Sequence, residues 1–228
     1  MDRERLFEEF IKECETQRPR MQFCGQGNPN KDILIVGKES TTVRDNLILD
    51  NINLCKDKRL RDAPREIDPS NDTWGNYQQL CDLIYCRKSN YPAMWDFEKE
   101  CAFTTELNNN PSKKTTIPNK KTRGLIAERL ELFKKSKFIQ SFPVVVLACS
   151  NYIINKEYNR QIDCTFGVTY DGDEKGKYYY SQFNWFYTHH NEDKSKLVIH
   201  TRQLSQNVMC QMMVDMAKVI RDHLGINC

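Results

Sequence analysis

Apolar residues recur along this chain with two different periods, which separate helical from extended segments. A spacing of three or four residues, typical of an amphipathic helix, occupies residues 2–16 and three later segments. The apolar positions are Leu6, Phe7, Phe10, Ile11 and Cys14, then Trp74, Tyr77, Leu80, Cys81 and Ile84, then Leu125, Ile126, Leu130 and Phe133, and finally Val208, Met209, Met212, Met213, Met216, Val219 and Ile220. N-caps are expected at Asn71 or Asp72 for the second helix and at Ser205 for the last. The pattern predicts four amphipathic helices, the last with a methionine-rich face packed in a core.

Four short apolar runs predict the strands of a sheet. They are "DILIVG", "ECAFTTELNNN", "FPVVVLACS" and "KLVIH". A short apolar run on both faces is typical of a buried parallel strand. A short helix capped by Ser150 is expected after the third run. The aromatic segment "GKYYYSQFNWFYTHH" fits an extended or edge strand, but its faces are not cleanly separated.

The alternation of strands and helices predicts the fold class. We expect a three-layer α/β/α domain with a central, mainly parallel four-stranded sheet, because right-handed crossovers cover such a sheet on both sides. The 228 residues fit a single domain over residues 1–228 that includes the N-terminal helix at residues 2–16.

The amino-acid composition limits the classes of protein to which the chain can belong and the partners that it can bind. The net charge of +3 permits contact with phosphates but is far below that of a dedicated nucleic-acid coat. No apolar run approaches the length of a membrane span, and the N-terminal segment does not have the form of a secretory signal. The ten cysteines include no C-x-x-C pair, and we expect them to be reduced thiols. These features predict a soluble, cytoplasmic protein with no membrane partner, no metal and no cofactor, and a monomer is expected.

The candidate functional residues follow the predicted strands. Ligands of an open parallel sheet bind beyond the carboxyl ends of its strands, where helix N-termini also point. The candidate substrate-binding residues there are Gly37, Lys38, Ser40, Thr105, Asn108, Ser150 and Asn151. Glu39 and His200 lie at the ends of the first and last strands. A carboxylate that activates water and a histidine that supports a leaving group suit hydrolysis. The alternatives are a solvated loop carboxylate and a strand-end histidine without a catalytic role.

The strand-end motifs resemble those of a known family. The ordered segments "ILIVGKES", "FTTELNN", "VVVLACS" and "LVIHTRQLS" are similar to the uracil-DNA glycosylase superfamily, whose first motif has the form G-Q-D-P-Y or G-E-A-P-G and whose last has the form H-P-S-P-L-S. Gly37 matches the first motif, and Glu39 falls where many members carry a water-activating aspartate. His200, Leu204 and Ser205 match the last motif. The family's base-reading asparagine would fall at Thr105.

The resemblance implies a function for each matched residue. Leu204 would enter the DNA duplex as a wedge, the damaged nucleotide would swing out, and Glu39 and His200 would support cleavage of its N-glycosidic bond. Arg202 and Ser205 would contact the DNA. The chain departs from the family at Ser40, Thr201 and Gln203, which replace motif prolines.

Two further segments bear on nucleic-acid binding. The basic loop at residues 113–123, which begins with Lys113 and Lys114, would track a nucleic-acid backbone or form a solvated loop. The aromatic segment offers stacking surfaces for bases or packs as a sheet edge.

Three hypotheses remain open at this point. The first is a divergent DNA glycosylase-like protein that hydrolyses the N-glycosidic bond of a damaged or deaminated base in DNA. The second is a non-catalytic nucleic-acid or nucleotide-binding protein on the same fold. The third is a small-molecule hydrolase of another α/β family. The target base and the strandedness of the DNA are left open.

Overall fold

Short apolar runs of the sequence form the central strands of the structure. The structure is a computed structural model that describes residues 2–17, 24–38, 55–66, 72–87, 94–108 and 118–228. The strands are β1 (Gln26–Gly27), β2 (Ile33–Gly37), β3 (Arg65–Glu66), β4 (Met94–Trp95), β5 (Ala102–Glu106), β6 (Val144–Ala148), β7 (Asn155–Lys156), β8 (Asn159–Arg160), β9 (Thr169–Tyr170), β10 (Lys177–Ser181), β11 (Asn184–His190) and β12 (Leu197–Thr201). The candidate residues Glu39, Ser40, Lys113 and Lys114 lie outside the described residues.

Amphipathic segments form the longer helices. The α-helices are α1 (Arg3–Gln17), α2 (Lys58–Arg61), α3 (Asp72–Ile84), α4 (Phe97–Glu100), α5 (Lys120–Lys135), α6 (Lys137–Gln140), α7 (Gln161–Phe166), α8 (Asp173–Gly176) and α9 (Cys210–Leu224). The four predicted helices correspond to α1, α3, α5 and α9. No helix within the described ranges combines the length and apolar character that crossing a bilayer requires.

One mixed sheet of eight strands organises the fold. Its order is β1-β5-β2-β6-β12-β11-β10, and β9 also pairs with β11. The pairs β5-β2, β2-β6 and β6-β12 are parallel, whereas β1, β9, β10 and β11 add antiparallel pairings at the two sides. The α/β class predicted from the sequence is therefore confirmed, but the sheet is mixed and has twice the predicted number of strands.

Helices cover the two faces of the sheet with separate apolar cores. Residues of α1, α5, α6 and α7 pack on one face, which we call the α1 face, and residues of α3, α4 and α9 pack on the other, the α9 face. The central strands β2, β6 and β12 are buried on both faces, which explains why their sequences are continuously apolar. The methionines of α9 pack as predicted, since Met212, Met213 and Met216 are fully buried.

Both predicted serine caps are wrong. The last helix begins at Cys210 with Met209 as its N-cap, and the Oδ1 atom of Asn184 accepts a 2.8 Å hydrogen bond from the Met209 backbone N–H. Asn184 lies on a strand distant in sequence, so local spacing did not indicate this bond to the N-cap residue. Ser150 is the first residue of a 3₁₀ turn and not its cap.

One pair of cysteines also differs from the prediction. Cys86 and Cys228 form a disulfide, with Cα atoms 5.8 Å apart and 142 positions of sequence between them. The disulfide joins the end of α3 to the C-terminal residue. The other cysteines of the described residues form no disulfide, and six of them are buried, as expected for thiols that pack as small apolar groups.

Arg129 is expected to stabilise the α1 face. Its guanidinium, 1% exposed, donates to Cys14 Sγ at 3.3 Å, Thr105 Oγ1 at 3.1 Å and the Glu106 carbonyl at 3.3 Å, and thereby joins α5 to α1 and β5. Arg129→Ala should lower the free energy of unfolding by about 3 kcal/mol, because it removes these bonds and leaves a cavity. Urea denaturation of the variant beside Lys134→Ala, an exposed change on the same helix, measures the difference. A loss below about 1 kcal/mol for Arg129→Ala would contradict this assignment.

Candidate functional site

The sheet register brings the predicted strand-end residues to one edge. Across neighbouring strands, Thr105 pairs with Val36, Val36 with Leu147 and Leu147 with His200. Because parallel strands in this register end together, the residues after them form one rim. The rim carries Gly37 and Lys38, Asn108, Ser150 and Asn151, and His200.

A cleft of about 590 Å³ opens beside His200 on the α1 face of the sheet. Its sheet side is formed by His200 of β12 and by Trp185, Tyr187 and His189 of β11. The remaining lining residues are Arg123, Ser150, Asn151, Ile153, Ile154, Asn155, Lys156, Tyr158, Tyr170, Asp173 and Lys177. A concave site with aromatic walls and a few polar groups is typical of a small-ligand site.

The cleft exists because the apolar core of the α1 face ends before β11. That core includes Val198 of β12 but no residue of β10 or β11. Side chains alternate along β11, so Trp185, Tyr187 and His189 share the α1 face while Phe186 is buried on the α9 face. The aromatic residues of the α1 face therefore line the cleft and are not packed under a helix.

His200 is held as a neutral side chain at the base of the cleft. Its Nε2–H donates to the carbonyl oxygen of Ser150 at 2.9 Å, and its ring lies edge-on to Trp185 at a centroid distance of 5.2 Å. Burial lowers the pKa of His200 to about 4, although the bond to Ser150 favours the protonated form. With Nε2 protonated, Nδ1 is the hydrogen-bond acceptor of the ring.

Ser150 adopts an unusual backbone conformation beside His200. Its φ of 49° lies in the left-handed region, which costs a non-glycine residue on the order of 1 kcal/mol. This turn directs the Ser150 carbonyl to His200 and leads into Asn151, which is exposed on the cleft wall. The predicted residues His200, Ser150 and Asn151 therefore lie together.

Lys38 and Asn108 lie along the same rim. The Asn108 backbone N–H donates to the Lys38 carbonyl at 2.7 Å, which extends the β2-β5 pairing beyond both strands. The Lys38 ammonium lies 4.9 Å from the ring centroid of Tyr152, in the turn that begins at Ser150. These contacts connect the end of β2 to the cleft wall, although neither Lys38 nor Asn108 lines the cleft.

Gly37 lies against a carboxylate that was not among the candidates. A Cβ atom on Gly37 would come within 2.5 Å of Glu106 Oε2, so glycine leaves room for this side chain. Glu106 follows Thr105, and the alternation of β5 places it on the α9 face, opposite to His200. The sequence offered a signal for Glu106, since it is the only acid in the rim segment after the second predicted strand.

Thr105 does not reach the cleft. It is 1% exposed, its hydroxyl donates to the Cys24 carbonyl at 2.9 Å, and it accepts a bond from Arg129. These partners occupy its hydroxyl inside the α1-face core. In this structure Thr105 is a packing residue and not a base-reading one.

The segment after His200 turns to the other face of the sheet. Leu204 is fully buried in the α9-face core, and Asn76 Nδ2 of α3 donates to the Ser205 carbonyl at 2.8 Å. Arg202 donates to the carbonyls of Phe183 and Gln206 at 2.8 and 3.1 Å. Leu204 therefore has a core position and not that of an exposed wedge, and the guanidinium of Arg202 holds backbone segments together.

Two carboxylates of the cleft region, Asp163 and Asp173, are each paired with a neighbouring side chain. Asp163 accepts from Asn155 Nδ2 at 3.1 Å and lies 3.2 Å from Nδ1 of the buried His189. Burial lowers the pKa of His189, which the Asp163 carboxylate opposes. At the rim, Asp173 accepts from Tyr170 and Lys177, each at 2.9 Å. Because Lys177 and Asp173 neutralise each other, the positive charge of the cleft comes from Arg123 and Lys156.

No metal centre was found at this site. Within the described ranges, no group of three or more histidine, cysteine or acidic side chains is arranged to hold a metal ion. The distance between Glu39 and His200, on which the predicted hydrolytic pair depends, involves a residue outside the described ranges.

The chain matches no protein-family model, and no curated protein is significantly similar to it.

The low pKa of His200 predicts a pH-dependent loss of stability. Because the folded-state pKa of about 4 is below the usual unfolded value near 6.5, the unfolded chain binds the proton first as pH falls. This contribution is complete above about pH 6.5 and is lost as pH falls toward 4. Between pH 7 and pH 5, His200 should account for a decrease of about 2 kcal/mol in the free energy of unfolding.

Urea denaturation of the wild type and of His200→Gln at both pH values isolates this contribution. Burial also lowers the pKa of His189 and His223, so both proteins should lose stability, and the difference between them belongs to His200. Equal losses in the two proteins would show that His200 titrates normally.

Proposed function

We propose that the chain is a divergent uracil-DNA glycosylase-like protein that binds a base of DNA in the cleft and hydrolyses its N-glycosidic bond. The observation that carries the proposal is the meeting of His200, Ser150 and Asn151 with Trp185 and Tyr187 in one cleft. The proposal also takes the parallel strands β5, β2, β6 and β12 as the glycosylase-like part of the sheet. Localisation in the cytoplasm stays a prediction.

Aromatic and polar groups of the cleft suit a nucleobase. Trp185 and Tyr187 have ring centroids 5.1 Å apart and present a half-buried aromatic surface, on which a base can stack. The Asn151 side chain and Nδ1 of His200 supply hydrogen-bonding groups for the polar edge of a base. The cations Arg123 and Lys156 suit the phosphates that accompany it.

The proposed reaction uses Glu39 and His200 in the roles that the family resemblance implies. Glu39 accepts a proton from water, and the water oxygen forms a bond to the anomeric carbon of the sugar. The C–N bond breaks, and its electron pair leaves with the base. In the reaction, a neutral His200 donates its Nε2–H to the departing base in place of the Ser150 carbonyl, since its low pKa excludes the imidazolium form near neutral pH.

A second candidate function is non-catalytic binding of a nucleic-acid base. It is favoured by the 2.9 Å bond that occupies His200 Nε2 and by the full burial of Leu204. Under this alternative, His200 orders the cleft wall through Ser150, and the base is bound without cleavage.

Cleavage of defined oligonucleotides tests the proposal. DNA that contains uracil, hypoxanthine, xanthine or a mismatched thymine is incubated with the protein, and abasic sites are measured as strand breaks after alkali. The wild type should cleave at least one of these substrates. Glu39→Gln and His200→Gln should each reduce the rate by about 100-fold or more while the DNA is still bound. Glu157→Gln, an exposed carboxylate in the β7-β8 turn, is the matched control and should cleave at the wild-type rate.

Each other result has a defined meaning. Binding without cleavage by the wild type would replace the enzyme with the binding protein. Cleavage that survives both substitutions would reject Glu39 and His200 as the reacting pair. Absence of both binding and cleavage would reject the nucleobase assignment of the cleft.

A further inference from the structure

The aromatic surface of the cleft continues across the edge of the sheet. Tyr179 of β10 pairs with Trp185 of β11, and Lys177 pairs with Tyr187. Paired residues of an antiparallel ladder project to the same face, so Tyr179 extends the aromatic row of the cleft outward. Tyr179 does not line the cleft itself and is 59% exposed.

On the opposite face of the same hairpin, the aromatic side chains are covered and not exposed. Tyr178 stacks on Phe186 at a centroid distance of 4.2 Å and packs on the α9-face core, while Tyr180 donates a hydrogen bond to Asp215 of α9. One face of the β10-β11 hairpin is therefore covered by α9, and the other presents Tyr179, Trp185 and Tyr187 to solvent. Contiguous exposed aromatic side chains are uncommon on a protein surface unless they bind a partner.

Charge and shape select the partner. Lys156 and Arg123 line the far side of the cleft, where Tyr158 is 81% exposed, while Lys177 within the aromatic row is paired with Asp173. Aromatic rings spaced along a sheet face and interleaved with cations suit a chain that carries both bases and phosphates. An apolar peptide or a second copy of the chain would not use the cations in this way.

The buried position of Leu204 favours single-stranded DNA over duplex DNA as the ligand. Bases of a duplex are stacked inside it and reach a sheet surface only after they are extruded, which requires a wedge and costs a few kcal/mol. Leu204, the residue that the resemblance gives as the wedge, lies fully buried on the opposite face of the sheet. Unpaired bases meet no such requirement.

We infer that single-stranded DNA binds across the open face of the β10-β11 hairpin, with one base in the cleft and a neighbouring base stacked on Tyr179. This inference rests on the proposed function and adds to it both the strandedness of the substrate and a second binding surface. A sheet face of this kind accommodates two or three successive bases.

Fluorescence anisotropy of labelled DNA tests the inference. The wild type should bind a single-stranded 10-mer at least about 10-fold more tightly than the blunt duplex of the same sequence. Tyr179→Ala should weaken binding of the 10-mer by about 5-fold to 100-fold, which corresponds to the loss of one stacked base. Tyr179→Phe keeps the ring and should bind as the wild type does. Leu60→Ala removes an apolar side chain of similar exposure (54%) on α2 and should have no effect.

Binding of a mononucleotide tests the cleft alone, and so tests the proposed function independently of this inference. Its binding in the cleft, measured by isothermal titration calorimetry, should be lost in Trp185→Ala and unchanged in Tyr179→Ala. If the mononucleotide binds but the duplex binds as tightly as the single strand, or Tyr179→Ala has no effect on the 10-mer, the inference is overturned and the cleft assignment stands. If neither the mononucleotide nor the 10-mer binds, both are rejected.

Discussion

The parallel register of β5, β2, β6 and β12 is the constraint on which the candidate site depends. It aligns Thr105, Val36, Leu147 and His200 in one row, so the strands end at one rim and His200 emerges beside the turn at Ser150. Side chains of a strand alternate between the two faces. A slip of one residue in β12 would therefore move His200 into the apolar core of the α9 face, away from the Ser150 carbonyl. Burial of this polar ring without its hydrogen-bond partner would be costly, so it favours the observed register, and the geometry of the cleft follows from that register.

The same alternation explains why residues adjacent in sequence belong to different parts of the molecule. His200 faces the cleft on the α1 face, whereas Leu204, only four residues later, belongs to the α9-face core. Likewise Thr105 packs against Arg129, and Glu106 lies against Gly37 on the other side. Residues of one continuous sequence motif, His200 to Ser205, therefore lie on both sides of the sheet. Its histidine lines the cleft, but its leucine does not.

Much of the fold was predictable because the central strands are buried on both faces, which gives short, continuously apolar runs. The β10-β11 hairpin was not predictable in this way. Phe186 and Tyr178 pack under α9, whereas Trp185 and Tyr179 are on the solvent-facing side. Because both faces carry aromatic residues, the sequence does not show the alternation of apolar and polar residues that marks a half-buried strand. Contacts between distant positions were not predictable either. The hydrogen bond from Met209 to Asn184 and the Cys86–Cys228 disulfide follow no local spacing. His200, Ser150 and Asn151 were predictable because strand ends alone define the rim.

The conditions that bury His200 also leave aromatic residues exposed beside it. Helices of the α1 face end before β11, so the last parallel strand is covered by the Ser150 turn, while the antiparallel strands beyond it are uncovered on that face. The turn desolvates the imidazole and keeps it neutral, as its pKa of about 4 requires. The uncovered strands supply a wide aromatic surface at the mouth of the same cleft. A neutral hydrogen-bonding ring next to an open stacking surface is the combination that an unpaired base needs, because its polar edge and its flat face are recognised together.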